Sequence, residues 1–345
     1  MEASNGKLFA GKRVLVTGGT GSFGHQIVDR LLEEGPAEIR IFSRDEDKQV
    51  RMSEEYGMGH QYPRKAPLNF IIGDVRNQNS VREAVRGIDI IFHAAALKQV
   101  PLCEYHVWEA VQTNVLGAQN VTQAALEENV EKVVAVSTDK AVKPVNAMGM
   151  TKSIQEKLFT AANFHRSGKR TVFLCVRYGN VVGSRGSVIP LFKRQIEAGG
   201  PITITDPRMT RFMLTLPQAI ELVFQAVTKG RGGETFVLKI PAALVTEVAE
   251  VMMESLSPGG LPVAIVGVRP GEKIHEVLVS EAEAVRTIED ESTYVILPQI
   301  DLEETRSFYD QKSFVAFSEY SSDTARRLDK AAVRSVLAST GWLAS

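Results

Sequence analysis

Short apolar runs separated by longer amphipathic stretches fill the first half of the chain. The runs are Val14-Leu15-Val16, Ile39-Arg40-Ile41-Phe42, Phe70-Ile71-Ile72, Ile90-Ile91-Phe92, Val133-Val134-Ala135-Val136 and residues 172 to 176. Runs this short and this uniformly apolar predict strands buried on both faces, as in a parallel sheet. Between them, apolar residues recur at helical spacing. Ile27, Leu31 and Leu32 follow the first run, and Ala110, Val111, Val115, Val121, Ala124 and Ala125 mark one side of a stretch from about 106 to 128. Asn114 is the polar exception there. The alternation predicts an α/β fold, a Rossmann-type doubly wound parallel sheet of six strands with its crevice along their carboxyl ends.

Residues 57 to 67 are polar and broken by prolines, and read as a loop. Beyond Gly183 the alternation stops, leaving a helix near 188 to 197, a strand Ile202-Thr203-Ile204, a helix near 217 to 228 and a last helix near 330 to 337. The expected organisation is a dinucleotide-binding domain over 1–183, a smaller substrate lobe over 184–300 with some exchange of chain between them, and a C-terminal segment over 301–345.

The first apolar run leads into Thr17-Gly18-Gly19-Thr20-Gly21-Ser22-Phe23-Gly24. A strand, a glycine turn and a helix start suit a dinucleotide. Gly18 permits the turn, Gly21 lets backbone N–H groups approach a pyrophosphate, and Gly24 lets the helix pack close to the strand. At the tip of the second strand, Ser43 and Arg44, with Lys48 a turn later, suit a ribose 2′-phosphate, so NADP is favoured, with NAD as the other choice; the alternative for this span, which also carries Asp45, Glu46 and Asp47, is a solvated helix start. Asp74 is placed to accept from an adenine amino group, and Ala94, Ala95 and Ala96 leave room for a cofactor at a strand end. His93 reads as a packed histidine, with a ligand or base as the alternative.

Composition narrows the partners. Forty basic against 41 acidic residues give a formal charge of -1, and no basic stripe with interleaved aromatics occurs, so a nucleic-acid role is not expected. No apolar run reaches the roughly 18 residues of a membrane span. Only Cys103 and Cys175 are present and residues 1–8 carry no apolar signal region, so a reducing, cytoplasmic setting with two inert thiols and no metal site is expected.

Together, Thr17 to Gly24, Asp74, His93 to Ala96, Asn114, Ser137-Thr138-Asp139-Lys140 and Lys152 resemble an extended short-chain dehydrogenase/reductase. More narrowly, Ser43 to Asp45, Ala96 to Pro101, Thr138 to Lys140, Arg177 to Asn180, Met209 to Phe212 and Val268 to Lys273 resemble the inverting UDP-N-acetylglucosamine 4,6-dehydratases of bacterial surface-glycan and capsule synthesis. The resemblance runs from about 11 to 297. It implies cofactor contacts from Thr20, Ser22, Phe23, Val75, Lys98, Asn114, Tyr178 and Asn180 besides the residues above, with Lys152 on the nicotinamide ribose. It places the UDP-sugar against Lys98, Asn180, Ser187, Val188, Thr203, Arg211, Arg269 and Glu272, with Glu272 and His275 bracing Arg269.

One position departs from the superfamily pattern Tyr-x-x-x-Lys: the tyrosine is Met148, four residues before Lys152, and a thioether is no base. The implied reaction oxidises the sugar at C4, removes the C5 proton, expels the C6 hydroxyl and returns the hydride to C6. Asp139 is the expected acid at C6 and Lys140, its pKa lowered by burial and neighbouring charge, the expected base at C5; Thr138 faces the C4 hydroxyl. Lys140, Lys98 or a water on Thr138 are the candidates for taking the C4 proton. A retaining dehydratase, a UDP-hexose 4-epimerase and a catalytically silent NADP-binding scaffold are the rivals. The apolar stretches 107–126 and 154–162 suit a homo-oligomer, a dimer or hexamer.

Overall fold

A computed structural model describes residues 7–59, 62–184 and 186–343. The first six residues of the N-terminal stretch read above, and 344–345 of the C-terminal segment, lie outside the described residues.

Seven strands come first in chain order: β1 (Arg13–Thr17), β2 (Glu38–Ser43), β3 (Arg64–Lys65), β4 (Leu68–Ile72), β5 (Ile90–His93), β6 (Lys132–Val136) and β7 (Val172–Arg177). They belong to one ten-stranded sheet, completed by Thr235–Leu238, Thr293–Ile296 and Thr287–Glu289, outward from β7. The centre runs β7-β6-β5-β1-β2-β4 and is parallel throughout, with Thr235–Leu238 added in parallel on β7. All six expected strands are present. The sheet is wider than expected, because both edges are finished by antiparallel strands: β3 on β4, and Thr293–Ile296 with Thr287–Glu289 at the other end. Antiparallel neighbours need only a short turn, so such edges arise from stretches too brief to show a period. Part of 57–67 is thus strand rather than loop. The sheet also takes three strands from 184–300.

The strands are apolar on both faces because both are covered. Helices Ser22–Glu34 and Leu216–Lys229 pack on one side, where Ile27, Leu31, Val223 and Phe224 meet Val14, Val16 and Phe92. On the other, Val81, Val121, Ala125 and Phe159 meet Leu15, Ile91 and Val133. A separate apolar cluster, with Phe192, Ile202, Met209, Val248 and Leu337, forms the core of the region beyond Gly183. The helical stretch from Val107 to Glu127 contains a π-helical turn at Val111–Leu116, and that turn holds Asn114. The C-terminal segment carries a helix Glu303–Tyr309 and a short strand Tyr320–Ser321 before its last helix, Lys330–Ser339.

Candidate active site

The glycine turn forms the first wall. Gly18 has φ 69°, and a Cβ on it would sit 2.9 Å from the Ala95 backbone, so the turn lies against the end of β5. A Cβ on Gly24 would lie 2.1 Å from the Gly19 carbonyl oxygen, so the helix start is pressed against the turn itself. Gly21 meets only the Gly18 oxygen, at 3.2 Å, and caps the helix Ser22–Glu34 with no side-chain hydrogen bond. The first-turn N–H groups therefore have no side-chain cap, a ready-made place for an anion. Thr20 is buried, Phe23 packs against the core and Ser22 is exposed.

At the tip of β2 the charged side chains are partly engaged with one another. Asp45 caps the helix Glu46–Glu55 by accepting from the Lys48 N–H, and its carboxylate pairs with the Lys48 ammonium. Ser43 is held by Gln49, whose Nε2 donates to its carbonyl at 3.0 Å and its hydroxyl at 3.2 Å. Arg44 is half exposed and stands 3.6 Å from Asp74. Asp74 does not stand free as an acceptor: it takes hydrogen bonds from the N–H and Nε of Arg76, and these outweigh the effect of burial and hold its carboxyl below the usual range. Val75 packs against Gly117.

Asn114 corrects a second expectation. It is fully buried; its Oδ1 accepts from Leu97 N–H at 2.8 Å, and its Nδ2 donates to the Leu97 carbonyl and to Thr151 Oγ1, each at 3.0 Å. The amide clamps the loop running through Ala94, Ala95, Ala96 and Lys98 instead of presenting itself to a cofactor. His93 is also interior: Thr17 Oγ1 lies 2.8 Å from its Nδ1, the ring stacks on Phe159, and burial pushes its pKa down to about 3. It is a packed neutral histidine.

The chain leaves β6 through Ser137 and Thr138 into a 3-10 turn, Asp139–Ala141, capped by the Thr138 hydroxyl. Thr138 Oγ1 donates to Asp139 Oδ1 at 2.9 Å, and Lys140 Nζ donates to the same oxygen at 2.9 Å. Asp139 is fully buried, and its Oδ2 has no partner among the described residues. Lys140 is not the lowered lysine expected from sequence. Burial disfavours its charge, but Asp139 and Glu276 outweigh that and hold its pKa above the ordinary lysine value. Lys152 behaves oppositely: burial brings it down to about 8 against the pull of Glu156 and Cys175. Its ammonium donates to the Val136 carbonyl at 2.6 Å and to Gln155 Oε1 at 2.7 Å. Met148 is buried in a small apolar cluster with Leu97, Val100, Cys103, Ala110 and Ala147.

The second half closes over this turn. Asn146 caps the helix Ala147–Ala162 through Gly149 N–H, and its Nδ2 donates to the Gly271 carbonyl at 3.0 Å, tying the helix start to the loop that carries Arg269 and Glu272. Arg211 donates from Nη1 to the Ile274 carbonyl at 3.0 Å and from Nη2 to the Lys273 carbonyl at 3.1 Å, which brings it beside Glu276. Arg269 is largely exposed, 3.8 Å from Glu272, whereas His275 turns away to Thr210 and so does not brace Arg269. Asn180 Oδ1, Ser187 Oγ and Glu272 Oε2 are buried without partners among the described residues. Thr203 is pinned to Gln195, and Val188 opens the helix Val188–Glu197. Tyr178 is buried, and its carbonyl accepts from Asp139 N–H at 3.1 Å. Lys98 is exposed.

Two supporting features were not anticipated. Glu276 stands beside the Asp139–Lys140 pair, and Ser137 is held by Glu156, which makes two hydrogen bonds to the buried Arg177, at 3.0 and 2.6 Å. Among the described residues no group of His, Cys, Asp and Glu could hold a metal ion, and no helix is long and apolar enough to cross a membrane.

Residues 14–298 match the family model described as polysaccharide biosynthesis protein. The chain is 43% identical over 343 residues to a protein of Rickettsia canadensis named UDP-glucose 4-epimerase, covering 97% of this chain and 98% of that one. Pen from Bacillus thuringiensis, known from an X-ray structure, superposes with a TM-score of 0.88 at 38% identity over 98% of this chain and all of that chain. A dTDP-glucose 4,6-dehydratase of Streptomyces venezuelae shares the fold, with a TM-score of 0.65 at 23% identity over 76% of this chain and 86% of the other. With its Rossmann-type sheet and its glycine turn, this chain belongs to the polysaccharide biosynthesis protein family, within the extended short-chain dehydrogenase/reductases.

Proposed function

We propose that the chain is a UDP-N-acetylglucosamine 4,6-dehydratase, inverting at C5, working with a nicotinamide dinucleotide and supplying a 4-keto-6-deoxy sugar nucleotide for surface glycan synthesis. The observation that carries this reading is the Asp139–Lys140 pair, a buried carboxylate and an ammonium 2.9 Å apart at the carboxyl end of a central strand.

The cofactor supports itself on chemistry present in the chain. The open Gly21 turn and the uncapped helix start fit a pyrophosphate, and Arg44 fits a 2′-phosphate, which favours NADP. A dinucleotide held by that turn would supply the hydride acceptor that oxidation at C4 calls for and the donor that reduction at C6 calls for. Structures of related fold are named as NAD complexes, in keeping with a nicotinamide cofactor.

The chain's own residues manage protons. Elimination across C5 and C6 needs a base toward one carbon and a donor toward the oxygen on the other. A carboxylate and a lysine in contact hold one mobile proton between them, and Thr138 lies on the same carboxylate oxygen, facing the C4 hydroxyl in this reading. Arg211 and Arg269 supply charge for the diphosphate, and Asn180 and Ser187 bring buried oxygens that lack partners among the described residues. Val107, Trp108, Leu116 and Ile154 are exposed on the two helical stretches expected to pair, which supports association of two copies.

The rival is a 4-epimerase, favoured by the names of the rickettsial relatives. Epimerisation transfers hydride at C4 alone and needs one group for the C4 proton but no acid at C6, so a buried carboxylate joined to the lysine is one group more than it requires. Incubation with UDP-N-acetylglucosamine in D2O, followed by mass spectrometry and proton NMR, decides. Loss of water with deuterium at C5 and an inverted C5 coupling pattern is expected; a C4 epimer that retains its water establishes the epimerase instead.

A further inference from the structure

Glu276 lies just before the strand Val277–Val279, which packs against the 3-10 turn of Asp139 and Lys140. Its carboxyl is almost entirely buried. Oε1 stands 3.7 Å from Lys140 Nζ and 3.8 Å from Arg211 Nε, and Oε2 has no partner among the described residues. Its backbone is fixed as well, since Glu276 N–H donates to Ser322 Oγ at 2.9 Å. A buried carboxylate is retained only where cations compensate it. Here two cations from different elements share a single oxygen.

We infer that Glu276 is a positioning residue for Lys140: its carboxylate, held between Lys140 and Arg211, keeps the lysine charged and seated beside Asp139. The charged groups around Lys140 are Asp139 on its own turn, Glu276, Arg211 on the strand Thr210–Phe212, and Lys273 on the loop above. His275 is engaged with Thr210 on the neighbouring strand. Two carboxylates thus face three cations, and removing one carboxylate leaves Asp139 alone to balance Lys140, Arg211 and Lys273. The role assigned to Lys140 in proton transfer rests on the dehydratase reading; the control of its charge by Glu276 does not.

The test is the pH dependence of Lys140 acetylation by acetic anhydride, read by peptide mass spectrometry in protein without sugar, with the exposed Lys312 as internal reference. In Glu276→Gln, and in Glu276→Ser as a second variant that leaves room for water, the Lys140 midpoint is expected to fall by about one pH unit, tenfold in free amine. Glu276→Asp is expected to return it most of the way. Mere loosening of the site would raise the rate at every pH and leave the midpoint in place, and an unchanged midpoint in the folded variants overturns the inference. If the midpoint moves while the wild-type protein forms no dehydrated sugar, the inference stands and the proposed reaction falls.

Discussion

Gly149 lies so close to Lys140 that a Cβ built on it would come 2.2 Å from the Lys140 carbonyl oxygen. That separation is far inside any real carbon–oxygen contact, and the obstacle is backbone rather than the end of a flexible side chain. The start of the helix Ala147–Ala162 is therefore pressed directly onto the turn that carries the Asp139–Lys140 pair.

Gly149→Ala is accordingly expected to displace that turn. Overpacking of this kind costs about 1–3 kcal/mol, read as a lower midpoint in urea unfolding. Turnover should fall further than stability alone explains, since moving Lys140 also moves its contacts with Asp139 and Glu276. Wild-type activity in a folded Gly149→Ala protein would show that the turn has no part in catalysis.

Met148 separates packing from chemistry. Its side chain fills an apolar cluster with Leu97, Val100 and Cys103, and a thioether moves no protons. Met148→Leu conserves volume and is expected to keep turnover within a few-fold of wild type, at a cost below about 1.5 kcal/mol. Met148→Tyr restores the superfamily pattern yet must place a phenol in that cluster, so it is expected to lose about 1–3 kcal/mol of stability without a gain in rate. A rate gain in Met148→Tyr would mean that the crevice is built for a tyrosine after all.

Arg44 and Lys48 look equivalent as ligands for a 2′-phosphate in the sequence but differ in the structure. Lys48 is already paired with Asp45, while Arg44 is half exposed, 3.6 Å from Asp74. Arg44→Ala is expected to weaken NADP binding about tenfold, in line with loss of one charge-assisted contact, and to leave NAD binding nearly unchanged. Lys48→Ala should alter neither by more than about threefold, the small worth of an exposed ion pair. Calorimetric titration with both dinucleotides checks this, and equal loss of NAD and NADP in Arg44→Ala would remove the basis for preferring NADP.

The legible parts of this molecule are those set by short-range patterning. Val14 to Val16 and Val133 to Val136 are uniformly apolar because both sheet faces are covered, and Gly18 and Gly24 stand where no Cβ fits. What the sequence hid depends on contacts between distant segments. Asn114 reads as a polar intruder on a helix until Leu97 is seen across from it. Lys140 reads as a lysine ready to lose its proton until Glu276 arrives from the second half of the chain. The edge strands β3 and Thr287–Glu289 are too short to show alternation and exist through their pairing with neighbours.

Lys152 gives a pH-dependent prediction with a definite sign. Burial holds its pKa at about 8 in the folded chain, against about 10.4 for a lysine in the unfolded chain. Below pH 8 both states carry the proton and the cost of burying the charge is present in full. Between those two values the unfolded state binds more protons, so the stability contributed at this residue rises with pH across that window. Lys152→Met removes the titration and leaves the rest of the protein's pH response to cancel in the comparison. In cofactor-stripped protein, urea unfolding from pH 7 to 9.5 is expected to show wild type gaining on Lys152→Met above pH 8, by at most ~1.4 kcal/mol per unit. Parallel stability curves for the two proteins over that range would mean that Lys152 keeps an ordinary lysine pKa. Its hydrogen bonds to the Val136 carbonyl and Gln155 would then fully offset the burial of its charge.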